Sequence, residues 1–297
     1  MNEENKKAVG IPKAQWLAFL VLVLIAAASF LGYRAVSDRK GLLKVYFLDV
    51  GQGDAVLIES PNGNQVLIDG GPDNKVVEEI GKVMPFFDRS IDALVLSHTD
   101  SDHLTGLISV LDRYSVGEIL ETGVRCVTSL CDEWHKEESV KKVEDETVER
   151  GMTVDIGGGA KLVVLYPFEN QKDAPVSSTN NSSAVLRLEY GKQSVLFPGD
   201  IGSQVEDKLI ASHASLSSDF LKVAHHGSKT STSERFLNAV KPKAAFIEVG
   251  ENNRYNLPSQ IILDRLAQNH IPYYRTDKNG LIELTLDGEN YSIKSIK

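Results

Sequence analysis

Leu94-Val95-Leu96-Ser97-His98-Thr99-Asp100-Ser101-Asp102-His103 is the stretch on which the fold turns. An apolar run of strand length ends in two histidines and two aspartates packed into six positions. Successive side chains at a strand end point in different directions. A loop starting there aims His98 and Asp100 at one point and the pair Asp102 and His103 at another. Imidazole nitrogen and carboxylate oxygen are the donors that hold Zn²⁺, Mn²⁺ or Fe. Capping a helix that begins near Leu104 needs one such residue, not four. The cluster therefore reads as a metal site.

Outward from it, the chain of 297 residues is 42% hydrophobic and 25% charged, the make-up of a globular protein. Its 32 basic and 41 acidic side chains give 32 − 41 = −9, which argues against a broad electrostatic grip on nucleic acid. Two cysteines, Cys126 and Cys131, exclude a zinc finger or a disulfide-stapled scaffold. They form either a small disulfide, if the protein is exported, or two free thiols. Residues 1–13 are a short polar tail with Lys6, Lys7 and Lys13. Residues 14–33 carry no charge and have the length of a bilayer-crossing helix, with Trp16 and Tyr33 near the ends. This segment is expected to be a transmembrane anchor, or else a signal segment cleaved near Ala26-Ala27-Ala28. Flanking cations balance, so the expectation of export rests on the signal-like beginning.

After a linker at 34–43, residues 44–297 alternate apolar strands with helical spacing. Strands are predicted at 44–49, 55–59, 65–69, 93–97, 162–166, 184–190, 194–198, 220–224 and 244–249, with a closing hairpin at 281–286 and 291–296. Helices are predicted at 75–84, 104–113, 134–148, 204–212, 234–240 and 259–269. Asn62-Gly63 marks a hairpin turn between the second and third strands. Early hairpins followed by strand–helix alternation point to an α/β (α+β) protein with two packed sheets and helices outside.

His98-Thr-Asp100-Ser-Asp102-His103 resembles the HxHxDH signature of the metallo-β-lactamase fold, in an HxDxDH form. Phe47-Leu-Asp49-Val-Gly51-Gln52-Gly53-Asp54-Ala55, Leu67-Ile-Asp69-Gly70-Gly71 and Asn180-Asn181-Ser182-Ser183 narrow the likeness. So do Phe197-Pro-Gly199-Asp200 and Leu221-Lys-Val-Ala-His225-His226-Gly227-Ser228. Together they are similar to the hydrolase domain of ComEC, the competence DNA-uptake channel protein. The resemblance runs from about Lys44 to the C-terminus and lacks ComEC's multi-helix channel. It implies a four-layer αββα sandwich with the metal site at one edge.

The resemblance also assigns roles. Asp200 bridges two metals, Asp69 orients ligands from behind, and Asp49, Asp54 and Ser228 are candidates for the same supporting part. Of His225 and His226, one binds metal and the other supports it or donates a proton to the leaving group; the sequence leaves open which is which. Asn181 and Ser183 stand where relatives place a third histidine and are expected to meet substrate or metal-bound water. One ligand set is then His98, Asp100 and Asp200; the other is Asp102, His103, Asp200 and a histidine of the 225/226 pair. Such an oxygen-rich site suits two divalent ions, Zn or Mn. The expected reaction is attack by metal-bound hydroxide on a phosphodiester, without a covalent nucleophile. One departure stands out: where the family reads N-R-Y-G-H-P, this chain has Asn253-Arg-Tyr-Asn-Leu257-Pro258. Lys222, Lys229, Arg235, Lys241 and Lys243 form either a basic rim for a polyanion or an ordinary solvated face.

The function expected is a ComEC-like extracytoplasmic nuclease held at the cell membrane by one helix, with DNA or another phosphodiester as substrate. Two alternatives remain: a hydrolase of a cell-wall phosphodiester, phosphorylcholine-type ester or lactone, and a non-catalytic metal-binding accessory to a separate DNA-uptake channel protein.

Overall fold

The computed structural model describes residues 13–37 and 41–296, and the chain divides into one unit before Gly41 and another from Gly41 on. The tail at 1–12 lies outside the described residues. The first unit is a helix, α1 (Lys13–Ser37). Several of its side chains also lie outside the description, and among the described residues no helix is long and apolar enough to cross a membrane.

The second unit opens with β1 (Leu43–Phe47), β2 (Val56–Glu59) and β3 (Gln65–Ile68), then α2 (Lys75–Val83) and β4 (Ser90–Leu96). Next come α3 (Ser101–Arg113), β5 (Ser115–Glu121), α4 (Ser129–Lys141) and β6 (Glu144–Thr147). A second sheet follows: β7 (Thr153–Gly157), β8 (Ala160–Tyr166), β9 (Val185–Tyr190), β10 (Gln193–Phe197), α5 (Ser203–Ala211) and β11 (Phe220–Lys222). It is completed by α6 (Glu234–Val240), β12 (Ala244–Ile247), α7 (Gln260–Gln268) and β13 (Tyr273–Arg275). A short α8 (Thr276–Asn279) leads into the hairpin of β14 (Leu281–Leu286) and β15 (Tyr291–Ile296), which returns to the first sheet. The sheet orders are β15-β14-β1-β2-β3-β4-β5-β6 and β13-β12-β11-β10-β9-β8-β7.

The strand alternation explains the layers. Along β1, Leu43, Val45 and Phe47 face the core between the sheets, whereas Tyr46 and Leu48 face the helices α2–α4. The outer face of the second sheet is covered by Val205 and Leu209 of α5, Phe236 of α6, and Ile262 and Leu266 of α7. The result is the expected four-layer αββα sandwich. Each sheet is antiparallel in its hairpins and parallel where a helix makes the crossover: β3-β4-β5-β6 and β10-β11-β12-β13. Asn62-Gly63 forms its hairpin, with Gly63 at φ +94°.

The helix predicted over 134–148 lies earlier, and the chain after it is a strand. Lys142 caps it in the left-handed conformation, and Glu144-Asp-Glu-Thr147 pairs with β5 as a charged edge strand. Edge charge blocks further strand addition, which is why so polar a segment serves there. The Cys126–Cys131 disulfide is formed, with Cα atoms 6.0 Å apart.

Glu138 on α4 accepts from His135 Nδ1 at 2.8 Å, if that nitrogen carries the proton. Burial raises its pKa to about 7, and nearby Glu121 adds to the rise while His135 opposes it. Folding therefore favours the protonated carboxyl. That contribution is complete below the unfolded value near 4.5 and is lost as pH rises through about 7. Glu138→Gln, compared with the parent by urea denaturation, should be near neutral at pH 5 and stabilising by about 1–2 kcal/mol at pH 8. Equal effects at both pH values would refute the assignment.

Candidate metal centre

The carboxyl ends of the parallel strands of both sheets meet at one edge, the position where open α/β sheets place ligands. From the first sheet come Asp69 after β3 and His98 after β4; from the second come Asp200 after β10, His225 and His226 after β11, and Glu248 after β12. Two loops clamp the His98–His103 segment. Asp54 N donates to Asp102 O at 3.2 Å, and Gly70 N to His103 O at 2.7 Å. A Cβ on Gly53 would lie 2.2 Å from Asp102 O, and one on Gly106 would lie 1.8 Å from Gly70 O. Glycine at these places lets the N-terminal turn of α3 approach the loops closely.

His98, His103, Asp200 and His226 are buried, and their ligand atoms converge. His98, His103 and Asp200 form one group within 4.8 Å; Asp102, His103 and His226 form another; Asp54, Asp200 and His226 form a third. His103 Nε2 is 3.5 Å from Asp200 Oδ2, and His226 Nε2 is 3.3 Å from both Asp102 Oδ2 and Asp200 Oδ2. Nε2 of His98, His103 and His226 and Oδ1 of Asp200 are buried without a hydrogen-bond partner. Buried polar atoms are normally satisfied. A divalent cation fits this donor set because it would satisfy the three imidazoles and the carboxylate together.

Supporting contacts fix the rings. Asp69 Oδ2 meets His103 Nδ1 at 2.8 Å, while its carboxylate also accepts from Ser97 N and Oγ. Asp54 Oδ1 lies 3.0 Å from His226 Nδ1, which Glu248 O also faces at 3.1 Å. With Nδ1 so engaged, Nε2 is left for a ligand, the arrangement that orients metal-binding histidines. Burial disfavours charge on His103 and His226, yet the carboxylates of Asp200, Asp54 and, for His103, Asp69 outweigh it and raise both pKa values well above the ordinary one. Asp200 is held well below the carboxylate range despite burial, by His226, His103 and Lys222. His225 and His226 both take left-handed φ, +52° and +51°. Two such non-glycine residues in a row cost roughly 1–3 kcal/mol each, strain characteristic of sites where geometry is prescribed.

The kink separates the two histidines. His226 enters the cluster; His225 stands half-exposed at the side, with Nε2 3.9 Å from Asp200 Oδ2 and 3.3 Å from Asn180 Nδ2, outside every converging group. Asp100 also stays outside the groups, 3.7 Å from His98 Nε2 and partly exposed. Asp49 pairs with Lys75 at 3.3 Å and supports no imidazole among the described contacts. Ser228 turns its hydroxyl to Thr230 rather than to the cluster. Ser183 is fully buried; its Oγ donates to Asn180 O and accepts from Asp200 N, so it holds the Asp200 turn and cannot meet substrate as expected. Asn181 Oδ1 accepts from Gly202 N, and the residue borders a cleft of about 450 Å³ with Asn180, Asp200, Gln204 and His225. A space of about 260 Å³ adjoins it along Tyr166, Gln204 and Lys208.

Of the candidate basic rim, Lys222 lies inside the site rather than on a surface. Lys222 is 2% exposed: its ammonium bonds Asp54 and lies 3.6 Å from Asp200 Oδ1. Arg235 pairs with Asp207 and Lys243 with Asp219. Lys222 and Glu248 are members of the site that the sequence reading missed. Glu248 Oε1 accepts from Ala55 N, while burial and the Asp54 carboxylate push its pKa well up. Leu257, in place of the family histidine, packs on the apolar cluster under α5–α7.

Residues 48–250 match the model of the metallo-beta-lactamase superfamily. The chain belongs to the metallo-beta-lactamase superfamily. Within it, the chain is 34% identical over 259 residues to ComE operon protein 3 of Bacillus subtilis, covering 81% of this chain and 32% of that protein. It is 30% identical over 270 residues to competence protein ComA of Neisseria gonorrhoeae, covering 89% of this chain and 35% of that one. The chain thus spans about a third of the length of these curated relatives. Among solved structures, the metallo-beta-lactamase fold protein YhfI from Bacillus subtilis aligns with TM-score 0.54 at 13% identity, over 79% of this chain and 95% of that one. CmlA, a diiron beta-hydroxylase from Streptomyces venezuelae, aligns with TM-score 0.53 at 14% identity, over 82% and 54%. These two show the fold alone. The likeness of the sequence motifs to the ComEC hydrolase domain agrees with the competence-protein relatives.

Proposed function

We propose that this superfamily hydrolase is a metal-dependent phosphodiesterase, with DNA the leading substrate. The observation that carries the reading is the convergence of three unpartnered imidazole Nε2 atoms on the Asp200 carboxylate. His98, His103 and Asp200 would hold one divalent ion, and Asp102, His226 and Asp200 a second. Bound there, Zn or Mn supplies Lewis acidity toward a phosphoryl oxygen and lowers the pKa of water. The chain's own residues do the rest. Asp69 and Asp54 keep the His103 and His226 rings aimed inward. Asn180 and Asn181 border the cleft with amides suited to phosphate oxygens. His225, at the cleft wall, would pass a proton to the leaving oxygen.

The competence-protein relatives support DNA as substrate. The Cys126–Cys131 disulfide supports an oxidising, extracytoplasmic location, and the apolar 14–33 segment supports anchoring in the cell membrane. A separate channel protein is then the partner in uptake. One observation favours the second reading, a small non-nucleic-acid ester: among the described residues lining the two cleft spaces, Lys208 is the one basic side chain. The assay is cleavage of single-stranded DNA, double-stranded DNA and a chromogenic phosphodiester by the full chain, after chelation and after Mn²⁺ or Zn²⁺ is restored. DNA cleavage that requires metal and disappears in Asp102→Ala is expected, with His225→Gln about 10²-fold slower at unchanged metal content. Cleavage of the small ester alone selects the second reading. Metal binding without turnover leaves only the accessory role, and full activity in metal-free protein rejects the mechanism.

A further inference from the structure

The end of the Gly41–Lys297 unit opposite the metal centre carries an aromatic pair that no described residue covers. Phe86 and Phe87, in the turn between α2 and β4, are 84% and 76% exposed and touch each other edge to face. The seven residues of β4 separate them from His98, about 20 Å along the sheet. Two adjacent phenylalanines exposed to water form an apolar patch of the kind that marks an interaction site.

The surroundings indicate which partner. Helices α2, α3 and α4 all end here, and their last turns carry Lys82, Arg113 and Lys141. Lys141 Nζ reaches Asp112 O at 3.2 Å, which sets the ends of α3 and α4 side by side. Ser115 N donates to Arg89 O at 2.8 Å, which ties the Phe86–Phe87 turn to the end of α3. Lys82, Arg89, Arg113, Lys141 and Lys142 are all exposed. Of the nearby acids, Glu79 pairs with Lys82 at 2.5 Å, Asp88 is engaged by Gln65 and Ser90, Asp92 accepts from Gln65 N, and Asp112 lies beside Lys141. The chain also enters the unit at this end: Lys44 pairs with Glu59, Glu59 with Gln65, and Gln65 Nε2 donates to Asp88 Oδ2 at 3.0 Å.

We infer that this end binds an anionic lipid surface. Phe86 and Phe87 enter the boundary between headgroups and acyl chains, and Arg89, Arg113, Lys141 and Lys142 meet lipid phosphates. The metal centre then faces away from the bilayer, open to a substrate arriving from the aqueous side. The inference rests partly on the proposed anchoring, but on different residues.

The test uses the full chain, with its disulfide, in vesicles of phosphatidylcholine and phosphatidylglycerol. An environment-sensitive fluorophore is placed at Phe86→Cys or, as the comparison, at Tyr255→Cys, which is exposed on the metal-centre end. Quenching by spin-labelled lipid should be about threefold stronger at 86 than at 255, and Phe87→Ser with Arg113→Gln should reduce it. Equal quenching at both positions overturns the inference, as does shielding at 86 that vanishes on diluting the protein, the sign of a second copy or protein partner. Alkaline carbonate extraction reads the anchor separately. A chain that washes off disproves the anchoring, while the same quenching measured at low salt with vesicles added still decides the lipid face.

Discussion

Lys222→Met should lower the stability of the metal-free protein by about 3–5 kcal/mol. Lys222 is buried between Asp54 and Asp200, with Asp54 bonded directly to its ammonium. Burial alone would discharge it, yet these carboxylates and Glu248 raise its pKa above the usual lysine value. The same contact, with His226 and His103, lowers Asp54 to about 2 although burial opposes it. Removing the ammonium leaves two carboxylates in the interior without their nearest fixed cation, and an uncompensated buried charge costs more than the pair contributes. Urea denaturation in chelator reads the loss. Adding Asp54→Asn to Lys222→Met should recover more than half of it, because the stranded charge is then gone. Restoring divalent metal should shrink the penalty, since cations again face Asp200. A loss below about 1 kcal/mol, or no recovery in the double variant, would show that the pair is not what compensates these carboxylates.

Asp200→Asn should reduce kcat by at least about 10³-fold while the protein stays folded. The substitution keeps shape and volume but removes the one carboxylate that lies near His103, His225, His226 and Lys222 together. It separates Asp200 from residues that only support it. Ser183→Ala would loosen the Asp200 turn by freeing its backbone N–H, with a smaller loss of rate and partial rescue by excess metal. Equal activity in Asp200→Asn and the parent would remove Asp200 from the centre of the chemistry.

How much of this could be read from sequence depended on where each residue falls in a strand. His98 to His103, Asp200 and the His225-His226 pair were legible because each follows an apolar run of strand length, and such ends of parallel strands share one edge. Lys222 was not, because β11 is a three-residue strand in the middle of its sheet, buried on both faces, so alternation could not tell an inward lysine from a rim lysine. Glu248 left one faint signal, a lone acid closing the apolar run of β12. Ser183 reads as a substrate contact in sequence because hydroxyl chemistry serves equally for turns, and only burial distinguishes the two. The split of His225 from His226 depends on two left-handed backbone angles that no side-chain pattern announces. The acidic run 144–147 read as helix because an edge strand is polar on both faces.

The central claim is that His98, Asp102, His103, Asp200 and His226 form one cage for divalent cations. The most direct measurement is metal content by inductively coupled plasma mass spectrometry after equilibrium dialysis against Mn²⁺ or Zn²⁺. The account predicts about two ions per parent chain, with Asp200→Asn and His226→Ala each losing at least one of them. A parent chain that retains no ion, or variants that retain the parent's full content, would contradict it.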